Sequence, residues 1–296
     1  MQRRSLLAAA AARLAPIAAF ATRDAHAQTA EPLQFGVGLF QPDREKNEAT
    51  YRPLAAWLEA RLSRRVVLRT VDTWEGLAKS LAAGETDIAL MGPWGYVLAN
   101  NEAGAQAVST ILYEGKPEYR AIMITHPKSG IRSIDDLKGR SFAFGDKGST
   151  SGYLIPVHEF QKRDIDPNTH FSRVIYTRHQ AIETQVVRGE LDAGADYNRN
   201  RDAMIAQGLI KAEDSRIFWT SAPLPNDAMA VSATLARDTG FVAKLREALE
   251  AVAGELARNP QLLPARYTGF VSSDNTAYAA IRDAGLATGK LMPPRR

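Results

Sequence analysis

Short apolar segments alternate with amphipathic ones, and this alternation, which occurs twice, constrains the fold more than any other feature of the chain. Leu33–Leu39, Arg65–Val71 and Asp87–Met91 read as strands. The helix between the first two, over 49–62, places Leu54, Trp57, Leu58 and Leu62 on one face. Trp74 opens the next helix, Gly84 stops it, and Gly92-Pro93 turns the chain into another. The pattern restarts near Tyr119, with strands at Arg120–Thr125, Ser141–Phe144, Arg173–Tyr176 and Leu191–Ala195. Helices are expected at Ser133–Leu137, Ser149–Lys162 and Gln180–Arg188, and only helices after a strand at Ala228–Val231. Such alternation implies parallel sheets with helices on both faces, an α/β fold. The chain crosses between the two units near 116–120 and again near 222–228. Two lobes follow: residues 32–118 with 226–296 form lobe 1, and 119–225 form lobe 2. A ligand cleft then lies between lobes that close by hinge motion.

The first 27 residues are expected to be a removed leader. Arg3-Arg4 starts it, an Ala/Leu-rich run extends from Leu6 to Ala21, and Ala25-His26-Ala27 supplies small residues where a signal peptidase reads. Arg3-Arg4-Ser5-Leu6-Leu7 also has the form of a twin-arginine signal. The expected product is exported, a periplasmic monomer. Charge must be counted without this leader. The full chain carries 37 basic and 33 acidic residues, but four of those Arg and one Asp belong to the leader, leaving a net charge of +1. The high pI therefore describes the leader and is no argument for nucleic acid or membrane binding. With no cysteine in the chain, disulfides, thiol catalysis and cysteine metal sites are excluded together.

The most informative segment is Gly145-Asp-Lys-Gly-Ser-Thr-Ser-Gly152, directly between a predicted strand and a predicted helix. A turn in that place aims free backbone N–H groups and the positive end of the helix dipole beyond the strand. Ser149, Thr150 and Ser151 add hydroxyl donors, and the flanking glycines allow close backbone approach. One Ser would be an ordinary N-cap; three consecutive hydroxyls exceed that need. The segment is not a P-loop, because Gly-x-x-x-x-Gly-Lys-Ser/Thr is not matched, nor a nucleophile elbow, because Thr150 stands at the centre of Gly148–Gly152. Neutral donors around a tetrahedral anion suit reversible capture.

Asp136–Pro156, with its Ser149-Thr-Ser-Gly-Tyr-Leu-Ile-Pro156 core, resembles the signature of the phosphonate/phosphite/phosphate periplasmic substrate-binding proteins, the PhnD-like components of ABC transporters. The similarity continues through His179-Gln-Ala-Ile and Gly189–Gly194 to Pro225-Asn-Asp227. It implies a type II periplasmic-binding-protein fold. It also implies that Ser149, Thr150 and Ser151 hold a phosphorus oxyanion, with His179 as a further donor. Tyr119 matches a cleft aromatic, and Asp227 an acceptor for a ligand proton. Alone, Tyr119 reads equally as hinge packing, His179 as a surface or core residue, and Asp227 as a turn residue. Two positions depart from the family pattern. Trp74 stands where phosphonate binders often place Tyr, and its indole N–H can only donate. Aligned from His179 onward, Arg199 stands where aminoethylphosphonate binders use Glu, with Asp196 or Asn198 as the alternatives, and an Arg there would repel a ligand ammonium. The expected ligand is thus a compact oxyanion or a phosphonate with a second negative group. Trp94 and Tyr96 admit two readings, cleft wall or helix core.

The implied function is ligand capture for an ABC permease in the inner membrane, with no cofactor and no catalysis. The alternatives are a partner of a membrane sensor using the same site, or a phosphate-ester hydrolase. The hydrolase would need an activated nucleophile or a metal. The five His are scattered, and a Ser151–His179 dyad shows no orienting carboxylate in the sequence. Ser151→Ala is expected to weaken binding of the oxyanion by about 1.5–3 kcal/mol, the usual range for a hydrogen bond to a charged group, measured by calorimetric titration.

Overall fold

The computed structural model describes residues 31–292 apart from Leu39 and Pro42; the expected leader, 1–27, lies outside the described residues. The chain forms β1 (Leu33–Gly38), α1 (Arg44–Leu62), β2 (Val66–Val71), α2 (Trp74–Ala82), β3 (Ile88–Met91), α3 (Pro93–Ala103) and β4 (Gln106–Tyr113). It then passes through β5 (Glu118–Tyr119), β6 (Ala121–Thr125) and β7 (Ser141–Phe144) to a π-helical turn (Thr150–Leu154) that runs into α4 (Ile155–Gln161). Next come α5 (Pro167–His170), β8 (Arg173–Tyr176), α6 (His179–Val187), β9 (Ala193–Tyr197), α7 (Asn198–Ala206) and β10 (Arg216–Thr220). The last elements are β11 (Leu224–Pro225), β12 (Ala228–Val231), α8 (Thr239–Glu250), α9 (Val252–Glu255), β13 (Tyr267–Ser272) and α10 (Ala279–Ala287).

Two main sheets result, ordered β13-β4-β12-β3-β1-β2 and β10-β6-β9-β7-β8. The expected parallel pairing holds for β1 with β2 and β3, and for β7 with β8 and β9. The remaining pairs in both sheets are antiparallel, so the sheets are mixed. The two crossing segments lie side by side as β5 and β11, pairing Tyr119 with Leu224 and Glu118 with Pro225. After the second crossing, β12 inserts between β3 and β4, which returns the C-terminal part of the chain to the first sheet.

Three corrections to the sequence reading have local causes. The segment after Val231 is not helical throughout, because β13 pairs with β4 at the edge of the first sheet. Only Gly269 and Phe270 of β13 are buried, so it carries no alternating apolar signal. The first helix begins at Arg44 rather than 49, because the Asp43 side chain caps it by accepting from the Lys46 N–H. Residues Ile134–Leu137 form a 3₁₀ turn, held by a reciprocal Ser133–Asp136 capping box.

Each sheet has its own apolar core. In the first, Leu33, Phe35 and Val37 are fully buried against Tyr51, Leu54 and Leu58 of α1 and Leu245 and Leu249 of α8. In the second, Phe142 stacks on Phe171 with centroids 5.0 Å apart and meets Phe160 edge-on at 5.3 Å. Fully burying side chains of this size contributes roughly 1.5–3 kcal/mol each.

One polar residue fixes the loop after β1. Asn47 of α1 is fully buried; its amide donates to Gly38 O at 3.0 Å and Thr70 Oγ1 at 3.2 Å. Its Oδ1 accepts from Phe40 N at 3.0 Å and Gln41 N at 3.2 Å. Every hydrogen-bonding function of the amide is thereby used. Removing it leaves several partners buried and unpaired, so Asn47→Ala is expected to lower the unfolding free energy by about 2 kcal/mol or more, read from urea denaturation.

Candidate functional site

The carboxyl ends of the parallel strands point toward one cavity of about 70 Å³. Phe40 follows β1, Asp72 and Trp74 follow β2, and Gly92 follows β3. From the second sheet, Asp146 to Ser151 follow β7, Arg178 to Gln180 follow β8, and Arg199 follows β9. Tyr119 and Asp227 reach it from the crossing strands. Each parallel strand except β1 leads directly into a helix, so α2, α3, the π-turn, α6 and α7 all present their amino ends here. The first N–H groups of those helices lack intrahelical partners and carry partial positive charge, which suits an anion.

All eight residues singled out in the sequence line this cavity: Trp74, Tyr119, Ser149, Thr150, Ser151, His179, Arg199 and Asp227. Trp94 and Tyr96 do not; they are core residues of α3, 2% and 1% exposed. The sequence did not single out Phe40 or Tyr197, and it named Asp196 only as an alternative to Arg199. For Asp196 and Tyr197 the available signal was their place at the end of a predicted strand.

The hydroxyl turn is shaped by its own side chains. Asp146 accepts from Gly148 N at 2.9 Å, and its carbonyl accepts from Ser149 N at 2.7 Å. Ser149 caps the π-turn by accepting from Gly152 N at 3.0 Å. Glycine is needed at 148 because a Cβ there would sit 2.5 Å from the Glu75 nitrogen at the start of α2. Gly38 likewise makes room for the Trp74 ring, which packs edge-on against Phe40 with centroids 4.8 Å apart.

The two units are joined across the cavity. Trp94 N donates to Thr150 Oγ1 at 2.8 Å, and the Trp94 indole donates to Lys147 O at 3.2 Å. Gln180 Nε2 donates to Phe40 O at 3.2 Å. With Ser149, Thr150 and Ser151 each 6% exposed or less, this is a closed arrangement.

His179 is held by a buried acid pair. Its Nε2 lies 3.2 Å from Ser149 Oγ, and its Nδ1 lies 2.7 Å from Asp196 Oδ1. Asp196 also accepts from Asn200 at 2.8 Å, and Glu183 accepts from Ser215 at 2.8 Å. Burial pushes His179 down to about 4, so the ring is neutral near pH 7. Burial raises Asp196 to about 7. Burial and the neighbouring Asp196 charge raise Glu183 to about 9. Which nitrogen of the neutral ring carries the proton decides whether Nε2 donates to Ser149 Oγ or accepts from it, so the donor role expected of His179 depends on its tautomer. An orienting carboxylate, absent from the sequence reading, is present, and the neighbouring hydroxyl is Ser149 rather than Ser151.

Arg199 and Asp227 are 5% exposed each and meet through Nη2 and Oδ2 at 3.3 Å. The guanidinium lies over the rings of Tyr119, Tyr197, Tyr113 and Tyr267 at 4.8–5.6 Å. Asp227 therefore serves first as the partner of Arg199, which the sequence separated into two independent ligand contacts. Among the described residues, no group of three or more His, Cys, Asp or Glu is placed to hold a metal ion.

Comparison with known proteins places this architecture. The profile of a family described as "ABC transporter, phosphonate, periplasmic substrate-binding protein" matches residues 39–278. The phosphonates-binding periplasmic protein of Escherichia coli (strain K12) is 25% identical over 222 residues, covering 73% of this chain and 65% of that protein. The phosphate-import protein PhnD of Mycolicibacterium smegmatis is 25% identical over 200 residues, covering 64% and 62%. The chain thus spans somewhat under two thirds of the length of these relatives. A binding component of an ABC phosphonate transporter from Pseudomonas aeruginosa superposes with a TM-score of 0.76 at 22% identity, covering 88% of this chain and 87% of that one. The fold is the two-lobed type II periplasmic-binding-protein fold.

The acid pair sets a pH dependence. A Glu183 carboxyl raised by burial stabilises the folded state below its unfolded pKa, and that contribution is lost as pH rises toward about 9. Glu183→Gln carries no such group, so its melting temperature relative to the parent is expected to climb steadily between pH 5 and 9 in a calorimetric scan.

Proposed function

This chain belongs to the phosphonate-binding family of ABC-transporter periplasmic substrate-binding proteins, and we propose that it captures a small phosphorus oxyanion or a phosphonate for an importer in the inner membrane. The observation that carries this reading is the Ser149-Thr150-Ser151 turn, buried where five helix amino ends meet. Such a site offers many weak neutral donors, which hold a tetrahedral anion and still release it.

In this reading lobe 1 comprises 32–118 and 226–296, lobe 2 comprises 119–225, and β5 and β11 form the hinge. The closed form is held by the contacts of Trp94 with Thr150 and Lys147 and of Gln180 with Phe40. A ligand touching both Trp74 and the hydroxyl turn favours this state over an open one. The leader exports the protein to the periplasm, where it meets the permease.

Ser149, His179 and Asp196 have the order of a hydrolase triad, but the setting supports binding. Ser149 Oγ is engaged by Gly152 N as a helix cap, and the family to which the chain belongs consists of substrate-binding components.

Asp227 lines the cavity while only its Oδ2 is committed to Arg199. A carboxylate oxygen there accepts a hydrogen bond from a protonated oxyanion and repels one with no proton. Thermal-shift and calorimetric titrations with phosphate, phosphite, methylphosphonate and sulfate are expected to show binding of the phosphorus compounds and weak or no binding of sulfate. Asp227→Asn should narrow the phosphate-to-sulfate preference by about tenfold, corresponding to one hydrogen bond to a charged group. An unchanged preference in a variant with an unaltered circular dichroism spectrum would remove this role.

A further inference from the structure

A second cavity, of about 320 Å³, lies on the other side of Arg199. Phe40, Gln180, Tyr197 and Arg199 line both cavities, so the two share a wall. Three cations line the second one, Lys46, Arg199 and Arg266, and no Asp or Glu does. Arg266 is already engaged by Glu114 at 2.7 Å, whereas Lys46 is exposed. Its aromatic surface comes from Tyr51, Tyr113, Tyr197 and Tyr267 with Phe40.

Two buried polar groups on this wall are unsatisfied. Arg199 uses Nη2 for Asp227, while its Nε and Nη1 have no hydrogen-bond partner; the Tyr113 hydroxyl has none either. Buried donors of this kind cost free energy unless something accepts from them. The tyrosine rings cover the faces of the guanidinium, and the Arg199 side chain borders the ring-lined space.

We propose that the second cavity receives an anionic arm of the ligand, so that the preferred substrate is a phosphonate or phosphate monoester carrying a carboxylate on a short organic chain. This rests on the first cavity binding the phosphorus group. There the Ser149–Ser151 turn holds the phosphorus oxyanion. The arm passes Phe40 and Tyr197, and its carboxylate accepts from Arg199 and the Tyr113 hydroxyl, with Lys46 supplying long-range attraction. The same charges exclude a ligand ammonium. The size of the cavity leaves room for several methylene groups.

The test is a calorimetric titration of the purified protein with phosphite, methylphosphonate, 2-aminoethylphosphonate, phosphonoacetate and 3-phosphonopropionate. A carboxylated phosphonate should bind at least about tenfold tighter than methylphosphonate, the scale of one charge-assisted hydrogen bond. 2-Aminoethylphosphonate should bind more weakly than methylphosphonate. Arg199→Met leaves Asp227 buried and unpaired and risks unfolding, so Tyr113→Phe and Lys46→Gln are the working variants. Each should reduce the advantage of the carboxylated ligand and leave methylphosphonate affinity unchanged. Methylphosphonate or phosphite binding as tightly as both carboxylated compounds overturns the second subsite and leaves the phosphorus site standing. Failure of all five to bind overturns the phosphorus site itself.

Discussion

A guanidinium that is almost wholly buried must be compensated where it lies, and in this protein Arg199 is that constraint. Desolvation works against its charge, and Asp227 with the surrounding tyrosines more than offsets the effect. Arg199 lies in the first turn of α7, after the second sheet's β9, and Asp227 sits where the chain re-enters the first sheet. The pair therefore couples the crossing strands to the back of the cavity. Tyr119 on β5, Tyr113 at the end of β4 and Tyr267 on β13 all turn toward it, so elements distant in sequence converge on one cation.

On the other side of the same cavity the lining Arg among the described residues, Arg178, is exposed rather than buried. The hydroxyl turn, the helix amino ends and a neutral imidazole provide dipoles instead of charges. Gly145 and Gly152 pack backbone against backbone, with a Cβ on Gly145 meeting Gly152 Cα at 3.0 Å. That close approach lets Ser149 reach both its own helix and His179. Behind His179, Asp196 and Glu183 keep a proton in a region closed to solvent, since both are fully buried. The imidazole is thereby backed by an acid pair that lines neither cavity.

How much of this was legible in the sequence depends on range. The β7 strand, the Gly-flanked hydroxyls and the helix behind them are contiguous, and their chemistry could be read from one octapeptide. The two crossings were visible as breaks in the strand–helix alternation. β4, β10 and β13 were not foreseen. β13 lies at an edge, and its Gly269 sits at a positive φ of 136° where the pairing with β4 shifts register. Asn47 was equally hidden, because a polar residue on a helix face signals solvent unless its four partners are known.

The sequence by itself determined the α/β class through local periodicity and the Ser149–Ser151 turn through a motif of adjacent residues, while Trp74, Tyr119, His179, Arg199 and Asp227 were picked out by the family resemblance. Only the tertiary structure decided how those residues are paired. It set Arg199 against Asp227, joined Ser149 to His179, placed Asp196 and Glu183 behind the imidazole, and opened a second cavity behind the tyrosines. The reason is physical. A donor's role depends on burial and on the charges within a few ångströms of it, and those neighbours come from strands and helices far apart in the chain.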